Sequence, residues 1–492
     1  MVLDNKARIR SVAVIGAGAS GAAAAAALRA ESYFDRIRVF ERRETPGGTW
    51  IYDANPGTPL QPAPGHLAPD LDPPLRLPSA LPATTNTNSQ ERYAQTPVYA
   101  GLTTNVPAIA MAFSDRPYPY SPFVPHWIPK QCIQDYFTYN RTDAFLSLNT
   151  TVEHVKKLPR ERWELTLRRP NPERGVDEWW AKTFDALIIA NGHYTVPFIP
   201  SVPGLAAYMT KYPGKVFHSK SFQSAHAYAD KRVLIIGNSA SGIDISTMLA
   251  KTVKSPLYQS RRSKSRWDGP EPPSGIEWKP VITSFHEVGS ITFADGTVLA
   301  SDDIDHVIYC TGYQPSFPWW DTKYNAPLWS YSAHRLDRSY LHTFFVDHPT
   351  LGLIGMPRTL TFRSFEYQAV ALARIFAGRS HKPLPDKESM LTWQREREER
   401  CLRDHKKFHD IPWENEETLD YFRELYNIAG LPLLTGEGRH PPVLDAETRW
   451  AVENIRKYPD GGQKIDGGAL SAKADEWVVV DVEHKKGILS FV

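Results

Sequence analysis

The chain has 492 residues, with 57 Lys and Arg against 55 Asp and Glu and a formal charge of +2. That balance offers no basic footprint for nucleic acid, and the length predicts two or three domains with a large core. Three dispersed cysteines, Cys132, Cys310 and Cys401, give no readable disulfide framework, metal cluster or C-x-x-C dithiol, and fit a reducing, cytoplasmic setting.

No apolar run approaches the roughly 18 residues of a membrane span. The N-terminus is polar up to the first apolar stretch, which is too short and too glycine-bounded for a signal peptide. The C-terminal Lys485–Val492 matches no address signal.

The first predicted element is a strand, Ser11-Val12-Ala13-Val14-Ile15, running into G-A-G-A-S-G from Gly16 to Gly21. Gly16 permits the tight turn, Gly18 lets the backbone approach a pyrophosphate, and Gly21 allows close helix–strand packing. Ala19 and Ser20 complete the turn, and an Ala-rich helix follows over Ala22–Ala30. Its N-terminus faces the anion. A second strand, Ile37–Phe40, ends in Glu41, which lies 20 residues beyond Gly21, where an acid would bind a ribose hydroxyl.

The proline-rich stretch Asp53–Gln90 reads as an irregular surface excursion. A hairpin-like stretch, Trp163–Trp180, precedes an apolar strand over Asp185–Asn191 that ends at Gly192. The strand Arg232–Ile236 then opens a second cradle, G-N-S-A-S-G from Gly237 to Gly242, with Ser239 in place of the middle glycine and Ser241 beside it. After the strand around Pro256–Gln259 come Ser260, Arg261 and Arg262 rather than an acid, and Arg262 is 20 residues past Gly242. An arginine there accommodates a 2′-phosphate and selects NADP over NAD.

Asp305–Gly312 repeats the D-x-x-I-x-x-x-G pattern of Asp185–Gly192, again after a hairpin signal at Asp295-Gly296. Each cradle thus has its own closing strand. The predicted fold class is α/β: two Rossmann-like dinucleotide-binding domains, the second inserted into the first. The expected bounds are 1–208 and 321–492 for the first domain and 209–320 for the second. Late in the chain, a helix is predicted over Ser364–Ala377 with Gly378 as its stop, and a solvated amphipathic helix over Lys387–Lys407.

One stretch is more specific. Tyr212-Pro213-Gly214-Lys215-Val216-Phe217-His218-Ser219-Lys220-Ser221-Phe222 resembles F-x-G-x-x-x-H-x-x-x-(F/W), the fingerprint of the flavin-containing monooxygenases, class B flavoprotein monooxygenases. Tyr212 replaces the first Phe. Phe222 is as in N/S-oxygenating members, whereas Baeyer–Villiger members usually carry Trp. Gly47-Gly48-Thr49-Trp50, Leu102-Thr103-Thr104-Asn105-Val106-Pro107, Asn191-Gly192-His193-Tyr194, Tyr309-Cys310-Thr311-Gly312-Tyr313 and Glu366-x-Gln368 are similar to further family stretches. The likeness runs from about residue 11 to 380.

The resemblance implies FAD on the first cradle and NADPH on the second. It implies cofactor contacts by Gly48, Thr49, Trp50, Thr104, Asn105, His218, Thr311, Gly312 and Gln368, beside Gly16, Gly18, Ala19, Ser20, Gly21, Glu41, Gly237, Ser239, Ser241, Gly242, Ser260, Arg261 and Arg262. It implies that Asn105 is the catalytic residue, placed by the flavin peroxide and the nicotinamide. The implied reaction oxygenates a soft nitrogen or sulfur nucleophile of a small molecule with O₂, through a C4a-hydroperoxyflavin, with no metal. Baeyer–Villiger oxidation of a ketone and a non-enzymatic dinucleotide-binding role are the alternatives, and a homodimer is compatible with the family.

Overall fold

In the computed structural model, residues 8–118, 121–413, 416–458 and 478–479 are described. The C-terminal Lys485–Val492 lies outside them.

Two parallel-cored sheets organise the chain. The first has seven strands in the order Ser339–Tyr340, Phe344–Phe345, His348–Leu353, Ala186–Ile189, Ser11–Ile15, Arg36–Phe40 and Leu146–Ser147. Its central strands are parallel, with Val14 opposite both Val39 and Ile188. Only the outer hairpin of Ser339–Tyr340 and Phe344–Phe345 runs antiparallel. The second sheet is all parallel, in the order Val216–His218, His306–Tyr309, Val233–Ile236, Leu257–Ser260 and Ile276–Lys279. In both sheets the closing strand expected from the repeated D-x-x-I pattern lies directly beside the strand that opens the cradle.

The first sheet takes strands from before and after the second, which makes the second body an insertion in the first. The chain enters it past Val196–Pro197 and leaves past Tyr313–Gln314, and these two passes pair antiparallel, Tyr313 opposite Pro197.

The helix Ala19–Ala30 is buried from Ala19 to Leu28. Its run of alanines has no bulk to hold neighbours off, so the sheet lies on one side and the helix Thr361–Phe376 packs on the other. Buried Arg374 on that helix is ion-paired to buried Glu31, just past the end of the first. Burial raises the Glu31 pKa, against the pull of Arg374 and Arg379.

The excursion Asp53–Gln90 is less irregular than its composition suggests. Ala83–Asn86 adds an edge strand to the antiparallel sheet of Thr151–Leu158, Arg162–Asn171 and Val176–Phe184, with Ala83 opposite Trp179. Trp179 Nε1 donates to Thr85 Oγ1 at 2.9 Å. The partner strand lies about 90 residues away, beyond the reach of local pattern.

The late helices run over Thr361–Phe376 and Lys387–Arg403, close to expectation. The second buries Met390, Gln394, Arg397 and Cys401, one helical stripe. Among the described residues, no helix is long and apolar enough to cross a membrane, and no acid, histidine and cysteine grouping could hold a metal ion.

Candidate functional site: two dinucleotide cradles and an asparagine turn

At the first cradle, packing alone requires two of the three glycines. Gly16 has φ +103°, and a Cβ on it would lie 2.5 Å from the Ala190 carbonyl oxygen. A Cβ on Gly21 would lie 2.0 Å from the Gly16 carbonyl oxygen. Gly18 differs, because its φ is an ordinary −80° and a Cβ would meet only the Gly48 Cα, at 3.4 Å. Its glycine is not needed by the protein, which fits close approach by a ligand. The first intrahelical bond runs from Ala22 N to Gly18 O, at 2.9 Å, leaving the preceding amides for an anion.

The second glycine pair closes on the turn. Gly47 N donates to Ala17 O at 3.0 Å, which sets Gly48, Thr49 and Trp50, a single 3₁₀ turn, beside the cradle. Glu41 is 4% exposed, and its carboxylate accepts from Ala17 N and Arg43 N, each at 2.9 Å. It stands at the turn, as a ribose-binding acid must. Gln368 is fully buried, accepts from Gly355 N at 3.0 Å and donates to Thr343 Oγ1 at 2.8 Å. Gly355 in turn lies against Ser20, which links Gln368 to the first cradle turn.

The second cradle repeats the geometry. Gly237 has φ +111°, and a Cβ on Gly242 would lie 2.2 Å from its carbonyl oxygen. Ser239 adopts φ −88°, ψ −169°, nearly the −80°, −167° of Gly18. Both lie in the extended region open to any residue, so serine fits where the first cradle has glycine. Ser241 follows on the helix Ala240–Leu249.

The three residues expected at a 2′-phosphate separate sharply. Ser260 is 2% exposed and its hydroxyl donates to the Pro280 carbonyl at 2.8 Å. Arg261 lies 3.4 Å over the Trp278 ring and bonds Asp268 at 2.8 Å. Arg262 is exposed and has no side-chain partner among the described residues. Buried Asp268 is the residue that sequence reading missed. It accepts from Asn238 Nδ2 at 2.8 Å and Ser265 N at 2.9 Å as well as from Arg261, tying the turn after Gly237 to the basic run. Burial pushes its pKa up, but the hydrogen bonds from Ser265, Asn238 and Arg261 outweigh it and hold the carboxyl low.

Asn105 lies between two fixed points. Thr104, 1% exposed, donates from its N to Val124 O at 2.9 Å and accepts from Val124 N at 3.1 Å. Ala108 N donates to Pro122 O at 2.7 Å. The Asn105 side chain is exposed and makes no hydrogen bond among the described residues. It does not cap the helical turn Ala108–Met111, whose Ala110 and Met111 amides bond Pro107 O. The far end of that turn is held by Arg363, which donates to Ile109 O at 3.1 Å. Buried Glu366 accepts from Ser114 N and Oγ at 2.7 and 2.8 Å and is bonded by Arg439 at 3.1 Å. Arg363 and Arg439 carried no motif signal; only the i, i+3 spacing of Arg363 and Glu366 hinted at a pair.

His218, the fingerprint histidine, is interior. It is 1% exposed, accepts from Lys220 N at 3.1 Å and sits edge-on to Tyr313 at 5.0 Å. Burial pushes its pKa down to about 3, so the ring is neutral. Through Tyr313 it braces the exit pass, where Gly312 has φ +89° and Thr311 Oγ1 donates to Phe198 O. Lys220 is buried too, its ammonium pushed down to about 7 by burial and by Arg42 and Arg43, and its Nζ donates to Thr195 O on the entry pass.

A flavin-binding monooxygenase-like family model matches residues 85–267 and 274–432, and an NAD(P)-binding Rossmann-like model matches residues 14–74. Flavin-containing monooxygenase iboF of Amanita muscaria is 30% identical over 438 residues, covering 76% of this chain and 80% of that protein. Flavin-containing monooxygenase FMO GS-OX-like 4 of Arabidopsis thaliana is 30% identical over 400 residues, 78% of this chain and 79% of its own length. In fold, S-allyl-L-cysteine S-oxygenase from Allium sativum is similar with a TM-score of 0.71 and 24% identity, over 90% of this chain and 92% of that one. The chain belongs to the flavin-containing monooxygenase family and is a flavin monooxygenase whose cofactors are FAD and NADPH.

Proposed function

We propose that this chain oxygenates a soft nitrogen or sulfur nucleophile of a small molecule, using NADPH and O₂. The observation that carries the reading is Asn105: an exposed, unspent amide clamped at Thr104 and Ala108. Such an amide can donate and accept a hydrogen bond where oxygen is handled. Phe222, which fills the last fingerprint position, supports a nitrogen or sulfur substrate over a ketone. The Allium sativum protein that shares this fold is an S-oxygenase.

FAD, once reduced by NADPH, supplies the oxygen-activating chemistry. The chain's residues do the rest. Gly18 and the free amides after it would receive the FAD pyrophosphate, and Glu41 its ribose. Arg262 would receive the NADPH 2′-phosphate, while Asp268 and Arg261 hold the turn that presents it. Asn105 would orient the activated oxygen, its backbone held by Thr104, Arg363 and Glu366. The neutral His218 moves no proton at neutral pH; it keeps the exit pass in place.

The test is product stoichiometry. The FAD-loaded protein is given NADPH, O₂ and a panel of thioethers, amines, hydroxylamines and ketones. One oxygenated product per NADPH is expected for at least one of the nitrogen or sulfur classes. Hydrogen peroxide alone from every nucleophile, or an ester formed from a ketone, would overturn the reading.

A further inference from the structure

Three parts of the chain that are distant in sequence meet at Asp244. Asp244 lies on the helix of the second cradle, and its side chain is 12% exposed. It accepts from Lys457 Nζ at 2.7 Å and from the hydroxyls of Tyr458 and Tyr99. Tyr99 begins the segment that leads to Asn105, and Ala100 N donates to Gln223 O of the inserted body at 2.9 Å. Tyr99 is 5% exposed and edge-on to Phe222 at 5.3 Å.

Lys457 and Tyr458 lie on one strap with the helix that precedes them. The helix Ala446–Asn454 starts with Asp445 as its cap, accepting from Thr448 N at 2.7 Å. Leu444 and Val452 share a core cluster with Ala108, Ala110 and Met111, in the helical turn that follows Asn105. Arg363, which holds that turn, also donates to Val443 O at 3.5 Å. So one end of the strap rests on the Asn105 turn and the other reaches the NADPH-cradle helix. The cradle helix buries Gly242, Ile245, Ser246 and Leu249 toward its own sheet. Asp244, on another face, is left for the strap.

We propose that Asp244 is a positioning residue: by gathering Tyr99, Lys457 and Tyr458 it sets the register between the NADPH-cradle helix and the Asn105 segment. The proposal rests on the functional reading above only for its effect on oxygenation. An acid with a side chain 12% exposed that receives one ammonium and two hydroxyls holds its partners more firmly than any one pair would, because each donor restricts the others. Release of the latch frees two bodies otherwise joined by the paired passes and by loop contacts.

The test uses full-length, FAD-loaded protein with Asp244→Asn, Lys457→Met and Tyr458→Phe, and Asp244→Glu as the conservative variant. Amide hydrogen exchange is measured without NADPH. Exchange over residues 99–113 and 446–458 should rise at least about tenfold in the three disruptive variants, about 1.4 kcal/mol of local opening, and return toward wild type in Asp244→Glu. FAD content should not change. Product formed per NADPH should fall several-fold, with hydrogen peroxide rising. Faster exchange confined to 446–458 with wild-type coupling would make the contact a mere terminal anchor and overturn the proposal, as would unchanged exchange in all three. If wild type oxygenates nothing while exchange at both segments responds to Asp244, the functional reading fails and the latch stands.

Discussion

Gly18 and Gly48 meet backbone to backbone: a Cβ on Gly48 would lie 2.8 Å from the Gly18 Cα. Gly48 also has φ +54°, so any side chain there is both strained and blocked. Glycines of one cradle thus have separate duties, and substitution should resolve them. Gly18→Ala should leave the melting temperature of the FAD-free protein near wild type, because its Cβ finds ordinary contact. Its FAD affinity should fall about tenfold or more, a loss of about 1.4 kcal/mol. Gly21→Ala should fail to fold, with its Cβ 2.0 Å from a carbonyl oxygen. Flavin absorbance per protein and thermal denaturation check both; full FAD affinity in Gly18→Ala would move the pyrophosphate elsewhere.

Arg262 and Arg261 should differ in kind. Arg262→Ala should raise the NADPH KM and leave NADH nearly unchanged, since a charge-assisted contact of about 1.5–3 kcal/mol corresponds to roughly 10- to 150-fold. Arg261→Ala breaks the Asp268 pair and the stack on Trp278, and should weaken both coenzymes. Ser260→Ala should not discriminate between them. Steady-state kinetics with the two coenzymes decides.

Asn105→Ala should keep FAD and continue to consume NADPH, while product falls and hydrogen peroxide takes up the missing electrons. Loss of one oriented donor costs about 2.7–4 kcal/mol elsewhere, so a fall of about 10²–10³ in oxygenation is the ceiling. Because the Asn105 side chain caps nothing, stability should move by less than about 0.5 kcal/mol. Wild-type coupling in this variant would return Asn105 to the role of a turn residue.

His218 predicts a pH dependence of stability. Its pKa is about 3 in the folded chain against an ordinary value near 6.5. Between those values the unfolded chain binds the proton and the folded one resists it. The contribution is therefore fully present above about 6.5 and is lost as pH falls toward about 3, at up to about 1.4 kcal/mol per pH unit. His218→Asn should shallow the acid limb of the stability curve by one proton. Denaturant titrations at several pH values measure it; an unchanged slope would mean that the ring charges in place.

The cradles were legible because their signals are local. A strand, a glycine turn and a helix lie within 20 residues, and the closing strands repeat one pattern. Ser260, 18 residues past Gly242, gives its hydroxyl to the Pro280 carbonyl, a contact that counting along the chain does not show. Ala83–Asn86, Asp268 and Asp244 were not legible, since their partners lie elsewhere in the chain or carry no motif. His218 matched a fingerprint, but its burial against Tyr313 was not legible, because Tyr313 lies 95 residues on.

The antiparallel passage at Pro197 and Tyr313 makes the inserted body an exchangeable cassette, because its entry and exit stand side by side. Splicing a relative's body between these points disturbs no strand of the first sheet, and coenzyme preference should travel with the graft. Coupling should travel only if the graft also brings an acid at the Asp244 position, since Tyr99, Lys457 and Tyr458 remain with the host.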